Sequence, residues 1–243
     1  MQTIVPFVSR LRIAGLAKNS TVDFPGSLSA VVFFAGCNYR CRYCHNAHIL
    51  DDPPLLETEE VISFLEKRAG LLDGVVLSGG EASLQQGLYS FAGELKKMDY
   101  KIKLDTNGSR PDVVRAMIDG GLVDFVAADY KAPFRMYDEI CGCGADGVSE
   151  TFELLADSGT PFEIRITMIP QITERKLAEM AESLPRLERF VLQLYRPVTE
   201  DGELRLIKED DIESGGRPYT PAELQQLAES VRYAQPNVSV RGV

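Results

Sequence analysis

No stretch of this 243-residue chain is apolar for long enough to cross a bilayer. The longest strongly apolar run lies around Ala30–Ala35, far short of the roughly 20 residues that a membrane helix needs. The first thirty residues also lack a charged segment followed by an apolar one, so no secretory signal is read and a cytoplasmic location is expected. Basic residues are in deficit, with 26 Lys and Arg against 36 Asp and Glu, for a formal net charge of -10. Such a surface repels phosphates, which argues against nucleic acids and anionic membranes as partners. Solenoid-type repeats and low-complexity tracts are missing as well. Cysteine usage speaks against a disulfide framework. The five cysteines are an odd number and fall into two tight groups, Cys37/Cys41/Cys44 and Cys141/Cys143. In a reducing compartment, thiols clustered in this way point to metal before disulfide.

What the chain does contain is a regular alternation. Short apolar runs at Leu28–Phe34, Gly74–Leu77, Lys101–Leu104, Phe125–Ala128, Phe162–Met168 and Phe190–Leu194 read as parallel strands buried on both faces. Helical stripes separate them. Val61, Ile62, Leu65 and Ala69 follow a Thr58 cap, and Leu84, Leu88, Phe91, Leu95 and Met98 form the next stripe. Val113, Val114, Met117 and Ile118 follow Pro111, which suits a first helical turn. Phe152 and Leu155 mark a fourth helix, and Leu177, Met180 and Leu184 a fifth after a Thr173 cap. The last opens with Thr220-Pro221-Ala222-Glu223, a capping box with proline in the first turn.

Six β/α alternations imply a parallel sheet with right-handed crossovers. They are too few for a closed eight-fold barrel, so the expected fold class is α/β, a partial (β/α)6 TIM-type barrel, with an open doubly wound sheet as the alternative. The length suits one domain. Its core is expected at about 28–198, with an N-terminal extension over 1–27 and a C-terminal loop and helix over 199–243. Arg10–Pro25 reads as an N-terminal hairpin or extension. Thr199–Pro218, acidic and poorly periodic, reads as a long loop and a lid candidate.

The strongest chemical signal is Cys37-Asn38-Tyr39-Arg40-Cys41-Arg42-Tyr43-Cys44, a C-x3-C-x2-C run directly after the first of these strands and Gly36. Three thiolates this close on one loop can converge on one soft metal centre. On a four-iron four-sulfur (4Fe–4S) cube they leave one iron open to a substrate. A zinc site completed by His45 or His48 is the plainer reading. Structural zinc, however, uses two separated ligand pairs, and no second pair is present.

Weaker signals stand at or near successive strand ends. Ser78-Gly79-Gly80-Glu81 is by itself a strand-to-helix turn, with Glu81 placed to begin the next helix. Asp105-Thr106-Asn107-Gly108 is by itself an Asx turn, and Asp129-Tyr130-Lys131 a solvated charge pair. Arg165, with Thr167 beyond it, interrupts an apolar strand and calls for a carboxylate, whether in a structural salt bridge or in a site. Gln193, Tyr195 and Arg196 close the sixth strand. In β/α barrels that end of the strands carries the active site, and the concordance of six strand ends outweighs any single motif.

The C-x3-C-x2-C run, with aromatic Tyr43 immediately before its last cysteine, resembles the signature of the radical S-adenosylmethionine (SAM) superfamily. That resemblance implies a 4Fe–4S cluster on Cys37, Cys41 and Cys44 and SAM chelating the open iron. It also implies reductive cleavage of SAM to methionine and a 5′-deoxyadenosyl radical. Gly79, Gly80 and Glu81 are similar to the element that holds the SAM amino group. Asp105, Thr106 and Asn107 are then implied at the ribose, with a monovalent cation near the SAM carboxylate. Asp129 would share that cation, Lys131 would meet the carboxylate, and Arg165 belongs to the same set.

Val22-Asp23-Phe24-Pro25-Gly26, Cys44-His45-Asn46, Asp129-Tyr130-Lys131-Ala132-Pro133 and Val191–Pro197 extend the likeness over about residues 12–198. They resemble the glycyl-radical-enzyme activases, and most closely the longer activating proteins of anaerobic ribonucleoside-triphosphate reductase. A glycyl-radical enzyme is thereby implied as partner, with flavodoxin or ferredoxin as electron donor and an anaerobic setting. Two alternatives stay open: an enzyme acting on a small molecule, resembling 7-carboxy-7-deazaguanine synthases, and a non-catalytic metal-binding redox sensor. Cys141-Gly142-Cys143-Gly144 fits neither pattern and reads as an incidental or a redox-active pair.

Overall fold

A computed structural model describes residues 11–197 and 216–242. Of the lid candidate, residues 199–215 lie outside the described residues, as do residues 1–10 of the N-terminal extension. The fold is α/β, and the eight strands among the described residues are hydrogen-bonded in chain order within one sheet. The strands are β1 (Ile13–Ser20), β2 (Ser29–Phe34), β3 (Gly74–Gly79), β4 (Lys101–Thr106), β5 (Phe125–Asp129), β6 (Phe162–Met168), β7 (Phe190–Leu194) and β8 (Val238–Arg241). The helices are α1 (Thr58–Arg68), α2 (Leu88–Lys97), α3 (Pro111–Asp119), α4 (Tyr137–Cys141), α5 (Val148–Asp157), α6 (Glu174–Glu182) and α7 (Pro221–Ser230).

The chain divides into two compact units. The first takes Met1–Asn38, Asn46–Ala127 and Gly147–Pro161, and the second Tyr39–His45, Ala128–Asp146 and Phe162–Val243. In the first unit β1 runs antiparallel to β2, so the segment read as a hairpin or extension of its own supplies one strand on the edge of β2, while β2, β3 and β4 are parallel neighbours. Strands β2, β3 and β4 are buried on both faces, with Val31, Val32, Val75, Val76, Leu77, Ile102 and Leu104 all within the core. Leu65 of α1, Phe91 and Leu95 of α2 and Met117 of α3 cover them. Each such side chain contributes about 1.5–3 kcal/mol on burial. In the second unit β6, β7 and β8 are parallel and in register. Leu177 and Met180 of α6 and Leu224 of α7 are fully buried there.

Two expectations change. Thr58 is not a cap: it is buried inside the first turn of α1, and the cap position falls to Glu57, whose side chain makes no capping bond. Glu81 does not open a long helix. It caps a single 3-10 turn, Ala82–Leu84, by accepting from the Ser83 amide, and α2 begins later, at Leu88. The Thr220 capping box forms as read, with Glu223 and Thr220 bonding reciprocally. Strand β8 adds a seventh parallel strand to the six anticipated.

Candidate active site

The polar motifs end their strands because a strand interior buried on both faces favours apolar side chains. Ser78 and Gly79 close β3, Asp105 and Thr106 close β4, and Asp129 closes β5. Within the first unit, Gly80 is drawn tightly against the segment before the cysteine loop. Its amide donates to the Phe34 carbonyl at 2.8 Å, and the Glu81 amide donates to the Gly36 carbonyl at 2.9 Å. Any side chain on Gly80 would collide with the Gly36 carbonyl. Gly79 has φ +117, a conformation that only glycine adopts readily, and its carbonyl accepts from Asn46 Nδ2 at 2.8 Å.

Buried Glu81 braces the end of β4. It accepts from the Ser83 amide at 3.1 Å, the Ser83 hydroxyl at 2.6 Å, the Thr106 hydroxyl at 2.8 Å and the Asn107 amide at 2.6 Å. Burial pushes its carboxyl above the usual range, and the hydrogen bonds from Ser83, Asn107 and Thr106 oppose that shift. Asn107 in turn reaches the cysteine loop, with Nδ2 3.7 Å from Cys37 Sγ and 2.9 Å from Asn38 Oδ1. Asp105 accepts from Ser78 Oγ at 3.0 Å and pairs with Lys103, whose side chain is almost wholly buried. Asn38 and Lys103 are positions that motif reading did not single out. Lys103 carried a signal, a cation inside an apolar strand.

In the second unit Asp129 bridges two cations. Arg165 Nε lies 2.8 Å from Oδ1 and Lys131 Nζ lies 3.2 Å from Oδ2. The carboxylate that Arg165 called for is therefore Asp129. Burial pulls Lys131 toward neutrality, but Asp129, then Tyr43, Cys41 and Cys141, hold it well above the usual lysine value. It stays charged at working pH. The Tyr43 ring packs edge-on against Tyr195, with centroids 6.2 Å apart, and burial raises its hydroxyl well above the usual range.

The second cysteine group meets the first. The Arg40 amide donates to the Cys141 carbonyl at 2.7 Å and the Arg42 amide to the Ile140 carbonyl at 3.2 Å. These bonds lock Cys41 beside the end of α4. A hydrogen bond with the buried Cys141 thiol lowers Cys41 to about 7, burial opposing it and the charge of Lys131 assisting. That hydrogen bond raises Cys141 above its usual value. No sequence signal links positions a hundred residues apart in this way.

Comparison with known families matches residues 31–184, most of the chain, to the Radical SAM superfamily. The chain belongs to the radical SAM superfamily. Within it, the chain groups with the glycyl-radical-enzyme activating enzymes. It is 30% identical over 203 residues to the pyruvate formate-lyase 1-activating enzyme of Escherichia coli K12, covering 76% of this chain and 80% of that one. It is 29% identical over 218 residues to a Methanocaldococcus jannaschii protein provisionally named as a glycyl-radical enzyme activating enzyme, covering 84% and 90%. Among solved structures it is similar to SuiB of Streptococcus suis bound to S-adenosylmethionine. The TM-score is 0.64 at 15% identity, over 87% of this chain and 52% of that one, so the chain spans about half the length of SuiB and shares its fold.

Membership implies a 4Fe–4S cluster and SAM, and the residues present fit both. The donor set is three thiols on one loop, one of them poised to ionise near neutral pH. Gly79 and Gly80 pack backbone against backbone on Phe34 and Gly36, next to the cysteine loop, where a side chain would not fit. Among the described residues no three His, Cys, Asp or Glu side chains gather about a single ion. A cube makes a different demand, because each thiolate holds its own iron. No helix among the described residues is long and apolar enough to cross a membrane.

Proposed function

We propose that this radical SAM enzyme activates a cytoplasmic glycyl-radical enzyme, anaerobic ribonucleoside-triphosphate reductase, taking its electron from flavodoxin or ferredoxin. The observation that supports the activating-enzyme reading is the extent of the likeness to activating enzymes, while the reductase as partner rests on the resemblance carried by the sequence motifs. The likeness to activating enzymes runs through 80–90% of those chains, beyond the superfamily core at residues 31–184. The names of the pyruvate formate-lyase activating relatives favour pyruvate formate-lyase as the second candidate partner.

The chemistry supplied by the bound cluster and SAM is one-electron reductive cleavage to a 5′-deoxyadenosyl radical, which removes a glycine Cα hydrogen. The chain's own residues hold and orient. Cys37, Cys41 and Cys44 ligate three irons through thiolates. Gly79 and Gly80 present backbone to the SAM amino group, and Glu81 keeps Thr106 and Asn107 in place toward the ribose. Lys131, held cationic beside Asp129, binds the SAM carboxylate, and Asp129 supplies an oxygen for a monovalent cation next to it. Arg165 fixes Asp129 from the far side, and Tyr43 walls the cysteine loop.

Asp129→Ala and Lys131→Ala are expected to keep the cluster yet bind SAM about 10- to 150-fold more weakly, as loss of a hydrogen bond to a charged group costs about 1.5–3 kcal/mol. Calorimetric titration of SAM into anaerobic protein decides this, and wild-type affinity in both variants would return the pair to a structural role. The function itself is tested by incubating reduced enzyme and SAM with the host's anaerobic ribonucleotide reductase and, separately, its pyruvate formate-lyase. A doublet glycyl signal in electron paramagnetic resonance is expected, with 5′-deoxyadenosine formed in proportion. Silence from every such partner, while a small metabolite stimulates SAM cleavage, would replace this reading with the small-molecule one.

A further inference from the structure

At the C-terminal ends of β6, β7 and β8 lies a cavity of about 210 Å³, lined among others by His45, Thr167, Gln193, Arg196 and Arg241. Thr167 and Gln193 are register partners on β6 and β7, and Gln193 is in turn the partner of Arg241 on β8. Residues paired across a sheet project from the same face, so the three form one polar row. Arg165 stands two residues before Thr167 on that face and binds Asp129. The row therefore continues the charged end of the proposed SAM site.

The members of this row are not equally available. Arg241 is committed, with both terminal nitrogens 2.8 Å from the carboxylate oxygens of buried Glu163, and its charge is cancelled there. His45 is fixed in place, its Nε2 2.7 Å from the Arg196 carbonyl and its ring stacked on Tyr195 at 6.0 Å. Arg196 gives one N–H to the Gly242 carbonyl at 2.8 Å and has no carboxylate partner among the described residues. The side chains of Thr167 and Gln193 are half-buried and have no hydrogen-bond partner among the described residues. Polar groups left open in a cavity are what orient a ligand.

Their chemistry selects the ligand. A carboxamide presents an N–H donor and a carbonyl acceptor in one plane, as a peptide unit does, so Gln193 can pair with a main-chain amide at both atoms. The Thr167 hydroxyl donates or accepts, and the unspent N–H groups of Arg196 suit carbonyl oxygens. A glycine has no side chain by which to be recognised. An enzyme that acts on a glycine Cα can hold the chain at that residue only by its amide and carbonyl. We propose that Thr167, Gln193 and Arg196 form the subsite that binds the main chain of the substrate peptide beside its target glycine. This rests on the reading of the substrate as a glycine-bearing protein.

The probe is a short synthetic peptide copying the sequence around the partner's radical-bearing glycine, tagged for fluorescence anisotropy and titrated into anaerobic, SAM-loaded enzyme. Thr167→Val, Gln193→Glu and Arg196→Gln keep side-chain size close to the original, and the melting temperature confirms folding. Each is expected to weaken peptide binding, and the Thr167→Val/Gln193→Glu pair by about 10- to 100-fold, for two unmade hydrogen bonds. Methylating the backbone nitrogens that flank the glycine should weaken binding to the unsubstituted enzyme comparably, whereas alanine at the flanking side chains should be tolerated. SAM affinity in the variants should stay near that of the unsubstituted enzyme.

Equal binding of methylated and unmethylated peptide, wild-type peptide affinity in the variants, or no peptide binding by the unsubstituted enzyme would each overturn the subsite. Loss of SAM affinity in step with peptide affinity would also overturn it, assigning the row to SAM. Failure of the parent reading looks different: the unsubstituted enzyme forms no glycyl radical on any partner, and both proposals then fall together.

Discussion

Replacing any one of Cys37, Cys41 and Cys44 by alanine is expected to leave the protein folded and without its cluster. Three thiolates are the smallest set that fixes a cube and keeps one iron for SAM, and two hold it too weakly to survive purification. The loss should be close to complete in iron and sulfide content and in the resonance signal of the reduced protein, and SAM should no longer alter that signal. Cys141→Ala and Cys143→Ala are expected to retain the cluster. Cys141 is hydrogen-bonded to Cys41 from outside the ligand run, and Cys143 lies beyond it in a glycine-rich loop. Stoichiometric zinc with no SAM-dependent spectral change, after anaerobic reconstitution, would refute the cluster assignment.

Gly80→Ala is the second substitution expected to have a large effect, and it acts through the backbone. A Cβ there would lie 2.7 Å from the Gly36 carbonyl carbon and closer still to its oxygen. Relief requires parting the Gly80–Phe34 and Glu81–Gly36 hydrogen bonds, at 2.8 Å and 2.9 Å. Overpacking combined with two weakened bonds should destabilise by about 3 kcal/mol. For a chain of this size that is roughly 6–12 °C in Tm. Because Gly36 immediately precedes Cys37, the cluster should also become labile. Gly93→Ala is the control. That glycine lies inside α2 with nothing within 4 Å of an added Cβ, so alanine should be neutral or mildly stabilising. Equal melting temperatures for the two variants would show that the close approach at Gly80 carries no stability.

Much of this was local and therefore legible in the residues. The spacing of Cys37, Cys41 and Cys44 declares a three-thiolate loop because ligand spacing is a property of a short segment. Strands β6 and β7 coincide with their predicted runs, residue for residue, β7 because it is apolar but for Gln193, and β6 because Phe162, Ile164, Ile166 and Met168 alternate with polar residues. Strands β3, β4 and β5 run one or two residues past theirs, into Ser78-Gly79, Asp105-Thr106 and Asp129. There the functional residues are polar, and polarity imitates a loop. Strand β8 escaped altogether. It is four residues long, and its alternation of Val238 and Val240 with Ser239 and Arg241 is too short to declare a period.

What only the tertiary structure decided is which distant groups meet. Arg165 announced a need for a carboxylate, but several acids could have met it, and the strand ends chose Asp129, which Lys131 also claims. Cys141 carried no mark of its partner until backbone hydrogen bonds laid residues 40–42 along the end of α4. Glu81 read as the start of a helix because capping is judged from near neighbours. Its carboxylate instead spans to Thr106 and Asn107, some 25 positions away, a contact that only the pairing of β3 with β4 creates. Spacing and periodicity are properties of a segment and survive in one dimension. Pairing depends on how strands register and helices cover them, and that is settled only when the core closes.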